Sequence, residues 1–242
     1  MRRLNSFMPA LAVVAPLLLL GCSSDDDSAP ATFALTGPSV QAGKPLPAEF
    51  TCEGKAFGDG KSPELDWSGE PSGTKSYAIL LKDLTIESGQ SAGDMNPEHP
   101  FHWTIWNIPG STHKLPASLS NEASPIPGTQ QQNGGPPFIS PGTTGYFGPC
   151  PNLGAAGLGA PKETHNDEFK LYAFSDATLT PPAYDPGSDP MAPLNPVRQL
   201  ANFFESHPSL LAKAELKFTS DATPSTCPGF PNPPFTCAPA TP

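Results

Sequence analysis

The chain has 242 residues and is rich in proline and glycine, with 34 and 22 of them respectively. Each proline removes a helix hydrogen bond and collides with the preceding turn, which excludes long helices after Pro30. Fourteen Phe, four Tyr and three Trp supply more apolar surface than a disordered chain carries. The 13 Lys and Arg against 23 Asp and Glu exclude a sequence-independent nucleic-acid binder, which needs cations facing phosphates. The composition predicts one mainly β domain with long Pro/Gly loops.

The N-terminus has the pattern of an export signal. Two arginines precede an apolar segment, residues 9–20, which is too short to span a bilayer but has signal-peptide length. Its end, Leu19-Leu20-Gly21-Cys22, resembles the bacterial lipoprotein processing box. Residues 1–21 are therefore predicted to be a cleaved signal peptide, Cys22 to carry fatty acyl chains such as palmitate, and residues 22–32 to form a disordered tether. Ser23 after the cysteine resembles the pattern of lipoproteins sorted to the outer membrane of the cell envelope.

The remaining four cysteines form an even set that allows three pairings. Cys227 and Cys237 bracket a Pro-rich tail, residues 221–242, so a disulfide between them is the first choice. A disulfide from Cys52 to Cys150 is the second. No C-x-x-C motif occurs and an oxidising compartment favours disulfides, so these cysteines do not predict a metal site.

The secondary-structure pattern begins near Phe33 and ends near residue 220. The clearest strand is Ser76 to Asp83, because Tyr77, Ile79 and Leu81 share one face with Asp83 by the two-residue period. One helix is predicted, with Asn195 as its N-cap and Pro196 at its first position, ending before His207. Residues 119–148 are predicted to be a long surface loop without an element of its own. The other predicted strands are Phe33 to Leu35, His102 to Ile108, Glu168 to Phe174 and Leu211 to Thr219.

Three polar residues border these strands and are the candidate site. Asp83 closes one strand, His102 opens the next and His165 precedes the third, so the three can meet at one sheet edge. Two imidazoles, a carboxylate and free turn amides at Gly148-Pro149 form a reasonable receptor for a small anion. Because imidazole ordinarily titrates near pH 6.5, anion affinity is expected to rise between about pH 8 and pH 6.

Catalysis and metal binding find little support in the motifs. No G-x-S-x-G elbow surrounds a serine, and Cys150, flanked by prolines, is expected to be oxidised, so the chain is predicted not to be an enzyme. His99 and His102 lie three residues apart, but Pro100 forbids the helix that such metal-ligand spacing uses. No metal or other cofactor is predicted.

Six segments in order resemble the phosphatidylethanolamine-binding protein family, specifically its bacterial Raf-kinase-inhibitor-like branch of the YbhB/YbcL type. The resemblance covers residues 33–220 and implies an antiparallel β-sandwich-like fold with one C-terminal helix. The segments are Phe50-Thr51-Cys52-Glu53-Gly54, Ser62 to Gly69, the strand ending in Asp83, Phe101 to Pro109, Gly145 to Pro151, and His165 to Phe174.

The resemblance also implies a small pocket for phosphate or phosphorylated head groups. Asp83 matches the first Asp of the family's D-P-D-A-P segment, His102 its pocket histidine, and His165 the His of its H-R-Y segment. Gly148-Pro149 matches the G-x-P pocket wall. Two departures stand out: the first segment reads Asp83-Leu84-Thr85-Ile86-Glu87 and the second reads His165-Asn166-Asp167. Loss of an Arg and gain of Asp167 should weaken attraction for a dianion.

The leading functional prediction is an envelope-anchored binding protein for a small anionic or zwitterionic ligand, phosphate or a phosphoethanolamine-like head group. It contacts the membrane through its lipid anchor and does not bind nucleic acid. The alternative is a kinase- or protease-inhibitor-like protein, which would use the pocket rim against a protein partner.

Overall fold

The computed structural model describes residues 32–51, 61–135, 144–151, 163–188 and 194–221. Within them the chain is mostly β, in two antiparallel sheets, as the composition predicts. The predicted signal peptide, Cys22 and the tail after residue 221 lie outside the described residues. No described helix has the length and apolar character needed to cross a membrane. The elements are β1 (Ala34–Thr36), a 3-10 turn (Ala48–Phe50), β2 (Leu65–Ser68), β3 (Ser76–Asp83), α1 (Leu84–Glu87), β4 (Phe101–Pro109), β5 (Lys114–Leu115), β6 (Gln130–Asn133), β7 (His165–Phe174), α2 (Pro196–Ser206) and β8 (Leu210–Ser220).

The two sheets differ in size. The smaller has the strand order β1-β2-β5, and the larger has the order β6-β4-β3-β7-β8. Antiparallel pairing within the larger sheet places the end of β3 beside the starts of β4 and β7. Asp83 is the register partner of Asp167, and Lys82 is the register partner of Phe101. The three predicted site residues therefore come to one edge because of strand order.

The central strand β3 has apolar side chains on both faces, because both faces are covered. Ile79 and Leu81 belong to the core between the two sheets, which also contains Leu35 and Trp67 of the smaller sheet. Leu80 belongs to a second core beneath α2. This double burial fixes the end of β3, and so fixes Asp83.

Helix α2 begins and ends as predicted. The Asn195 side chain accepts hydrogen bonds from the backbone N–H groups of Val197 and Arg198, and Pro196 occupies the first turn. The Asn195 amide also donates to the carbonyl oxygens of Phe101 and Gly134. One capping residue thus joins the helix to the start of β4.

Two strand predictions need correction. Strand β7 begins at His165, three residues before the predicted start, so His165 lies in the sheet rather than before it. Strand β6 lies inside the range predicted to be an uninterrupted loop, of which residues 136–143 are not described. Its buried Gln131 accepts a hydrogen bond from the Trp103 indole at 2.9 Å. The strand is therefore held in place by a side-chain hydrogen bond and not by packing of apolar side chains.

Candidate functional site

Asp83 is fixed by three hydrogen bonds at the point where β3 ends. Its Oδ1 accepts from the backbone N–H groups of Thr85 and Ile86 at 2.8 and 2.9 Å, which makes it the N-cap of α1. Its Oδ2 lies 2.5 Å from Nδ1 of His165. The carboxylate is therefore buried, oriented and unable to rotate freely.

His165 lies beside Asp83 as predicted, but it supports the site rather than lining it. Its ring is fully buried, and its Nε2 lies 3.0 Å from a carboxylate oxygen of Glu163. Burial acts to lower the pKa of His165, but the hydrogen bond and charge of Asp83, together with the Glu163 hydrogen bond, outweigh burial and raise that pKa. Both ring nitrogens are engaged by carboxylates, so the ring has none left for a ligand.

Glu163 secures this arrangement from outside the sheet. Its carboxylate accepts hydrogen bonds from the Ser91 hydroxyl at 2.8 Å and from the Ala92 N–H at 2.7 Å. Burial acts to raise the pKa of Glu163, but the hydrogen bonds from Ser91 and His165 outweigh it and lower the pKa. The loop around residue 91 is thereby connected to the end of β7.

His102 is buried, and both of its ring nitrogens are available to a ligand. Its side chain is only 5% exposed and stacks on Phe147, with ring centroids 5.5 Å apart, yet neither ring nitrogen has a hydrogen-bond partner. Burial lowers the pKa of His102 to about 4, against a smaller opposing effect of Asp83. The imidazole is consequently neutral near pH 7, with one donor and one acceptor nitrogen. The expected gain of anion affinity between pH 8 and pH 6 assumed an unburied imidazole, and the burial of His102 removes that premise.

Asp167 completes the site, and the sequence did not identify it as a ligand-facing group. It is fully buried; its Oδ2 accepts a hydrogen bond from the Ser220 hydroxyl at 2.6 Å, and its Oδ1 has no partner. Burial, followed by the charge of Asp83, raises its pKa well above the ordinary value. The two-residue period of β7 was the available signal, because it places Asp167 on the same face as His165.

Asp83, His102 and Asp167 form what we call the acid–imidazole cluster. One ligand atom from each residue lies within 4.8 Å of the other two. All three side chains are buried. The cluster combines a neutral imidazole with two carboxyl groups, a set that can bind a cation or the positive end of a zwitterion.

The predicted wall, Gly148-Pro149, follows the ring that stacks on His102, and both residues are buried. The glycine has a packing reason, because a Cβ atom there would lie 2.2 Å from the carbonyl oxygen of Phe50. At Gly148 the backbone therefore passes close to the backbone of Phe50. Cys150 is disulfide-bonded. Cys52, Cys227 and Cys237 lie outside the described residues, so both predicted pairings stay predictions.

A cavity of about 240 Å³ lies away from this cluster, between β4, β6 and α2. Among the described residues its lining contains no His, Asp, Glu or Cys, unlike the acid–imidazole cluster. Its lining is Trp106, Gln130, Gln132, Pro181, Pro182, Tyr184, Pro196, Gln199 and Leu200.

Comparison with known proteins gives a consistent result. The sequence profile described as phosphatidylethanolamine-binding protein matches residues 36–219. The protein YbcL of Escherichia coli is 30% identical over 149 residues, covering 60% of this chain and 69% of YbcL. LppC of Mycobacterium tuberculosis, named as a candidate lipoprotein, is 32% identical over 157 residues, covering 64% of this chain and 62% of LppC.

The fold has a solved counterpart. The crystal structure of E. coli YbcL, described as a new member of the mammalian PEBP family, superposes with a TM-score of 0.52 at 23% identity. The superposition covers 80% of this chain and all of that one. At this identity the likeness concerns the fold alone, which it confirms.

Proposed function

Because this chain belongs to the phosphatidylethanolamine-binding protein family, we propose that it is an envelope-anchored protein whose acid–imidazole cluster binds a small phosphorylated head group. The similarity to LppC, named as a candidate lipoprotein, supports association with the envelope. The predicted anchor is Cys22, and Ser23 favours the outer membrane. The proposal assigns binding and no catalytic step.

The observation that carries this proposal is the unpaired imidazole of His102. Buried polar side chains almost always have hydrogen-bond partners, and a buried group without one costs about 1 to 3 kcal/mol. His102 has two such nitrogens at the edge where three strands meet. A phosphate oxygen accepts a hydrogen bond from an imidazole N–H, so a bound head group would remove part of that cost.

The charges around His102 select the kind of head group. Asp83 contributes a carboxylate to the cluster, and a neutral His102 does not offset its charge, so a bare phosphate dianion meets repulsion. A zwitterion such as phosphoethanolamine brings its own ammonium group, which donates hydrogen bonds to carboxylates. The family description names the same head group. We therefore expect phosphoethanolamine to bind more tightly than inorganic phosphate.

The test is calorimetric titration of the metal-free full chain with each compound. His102→Ala should weaken phosphoethanolamine binding by about 1 to 3 kcal/mol, the usual range for a hydrogen bond to a charged group. His99→Ala is the matched control, because His99 lies three residues away and is bound within its own loop, 2.6 Å from Asp94. That variant should bind like the wild type.

Two results would contradict the proposal. One is the absence of phosphoethanolamine binding at millimolar concentration, and the other is equal affinity of the wild type and His102→Ala. In either case the protein-partner alternative becomes the better explanation, and pull-down from envelope extract should then yield a stoichiometric partner.

A further inference from the structure

We propose that Asp83, His102 and Asp167 form a site for a divalent transition-metal ion of the Zn²⁺ class. The three residues come from β3, β4 and β7, and their ligand atoms lie within 4.8 Å of one another. A tetrahedral Zn²⁺ ion with bonds of about 2.0 to 2.2 Å needs ligand atoms roughly 3.3 to 3.6 Å apart. The observed limit of 4.8 Å is wider than this range, so metal binding would draw the three ligand atoms closer together.

The unpaired atoms point to a missing ligand independently of this spacing. His102 is 5% exposed and Asp167 is fully buried. Both His102 nitrogens and Asp167 Oδ1 have no hydrogen-bond partner, although they belong to the same small cluster. One metal ion would occupy a nitrogen of His102 and the Oδ1 of Asp167 at once.

The surrounding hydrogen bonds are those expected around metal-ligating carboxylates, which are held by further partners. A carboxylate has about four acceptor positions. Asp83 uses three of them, for Thr85 N–H, Ile86 N–H and His165, which leaves one on Oδ2. Asp167 is held through its other oxygen by Ser220. Each carboxylate is therefore oriented and retains a free acceptor position.

The ligand set decides the class of ion. One imidazole nitrogen and two carboxylate oxygens, with a fourth position left open, match the three-ligand pattern of Zn²⁺ sites that retain an open position. Ca²⁺ takes six to eight oxygen ligands, and Mg²⁺ demands octahedral oxygen coordination. We therefore expect Zn²⁺ and Co²⁺ to bind and Ca²⁺ and Mg²⁺ not to.

A bound ion would add a second way for the site to bind phosphate. This expectation about phosphate rests on the proposed function. With the ion in place, the open fourth position can accept a phosphate oxygen directly, so inorganic phosphate should bind to the Zn²⁺-loaded protein and weakly to the metal-free protein. Metal binding itself does not depend on any head group. Failure of the two proposals can thus be told apart, because phosphoethanolamine is tested on metal-free protein.

The experiment is titration of the metal-free full chain with Zn²⁺ by calorimetry and with Co²⁺ by visible absorption. The wild type should bind one ion per chain with the strong absorption of tetrahedral Co²⁺. Asp167→Asn keeps the shape and the acceptor for Ser220, and should weaken Zn²⁺ binding by at least about 10- to 100-fold, the loss seen when only an outer partner is removed. The control is Glu70→Gln, which removes a surface carboxylate 2.9 Å from His113 and should change nothing.

A folding defect in Asp167→Asn would also weaken Zn²⁺ binding, so a second measurement uses the wild type alone. In its NMR spectrum the His102 ring signals should shift on Zn²⁺ addition. No Zn²⁺ binding at millimolar concentration would overturn the proposal. Equal loss in both variants, preferential binding of Ca²⁺, or unmoved His102 signals would also overturn it.

Discussion

At the scale of single residues, Asp167 is one departure of this chain from the family pattern at the candidate site. The family pattern H-R-Y places a tyrosine at its third position, and a phenol can donate a hydrogen bond to an anion. In this chain that position is a buried carboxyl group paired in register with Asp83. Because burial and the charge of Asp83 raise the pKa of this carboxyl group, it places a second ionisable group, and not a fixed negative charge, beside Asp83.

Gly148 allows a residue-scale prediction of stability. Gly148→Ala should destabilise the protein by about 1 to 3 kcal/mol, because the new Cβ would lie 2.2 Å from a backbone oxygen that cannot move away easily. The control is Gly93→Ala, whose Cβ would meet nothing closer than 4.0 Å. Urea denaturation measures both. Equal midpoints for the two variants would show that the Phe50 contact is not tight.

At the scale of elements, a strand or helix could be predicted when its sequence pattern lies within a few neighbouring residues. Strand β3 and helix α2 were predicted because alternation and an Asn-Pro cap lie within a few residues of sequence. Strand β6 was missed because its sequence, Gln-Gln-Gln-Asn, has no apolar alternation and gains its order from Trp103 and strand β4. The sequence named Asp167 as a gained acid, but its position opposite Asp83 depends on the pairing of β7 with β3.

The contact between α2 and the large sheet gives a prediction about pH. Glu205 of α2 accepts a hydrogen bond from the Tyr172 hydroxyl at 3.0 Å and pairs with Lys213 at 2.7 Å. Burial acts to raise the pKa of Glu205, but the hydrogen bonds from Lys213 and Tyr172 and the lysine charges outweigh it and lower that pKa.

The direction of the pH effect on stability follows from the linkage between protonation of Glu205 and folding. A depressed folded-state pKa stabilises the protein above the unfolded-state pKa of about 4.3, and the gain is lost as pH falls through the folded-state value. Wild type should therefore melt at a higher temperature than Glu205→Gln at pH 7, and the difference should shrink toward pH 3. Thermal melts at several pH values measure it. A difference that is independent of pH would show that Glu205 acts through packing alone.

At the scale of the whole molecule, the domain and its predicted anchor are separate parts of the sequence. The family match covers residues 36–219, and the described sheets lie within residues 34–220. The predicted lipid site at Cys22 precedes both. The acid–imidazole cluster and the anchor can therefore be tested independently, and a soluble form should retain the cluster.

The anchor prediction concerns Cys22 in a bacterial host. The wild type should be processed at the Leu19 to Cys22 box and remain with the membrane fraction, because several acyl chains hold a protein firmly whereas one gives only marginal binding. Cys22→Ser should accumulate as the unprocessed precursor, which immunoblotting and mass spectrometry of the N-terminus detect. A form starting at Ala31 behind an ordinary cleavable signal should be released as a folded protein, because the family match begins only at residue 36. Retention of that form in the membrane fraction, equal to that of the wild type, would show that the domain reaches the membrane without the lipid.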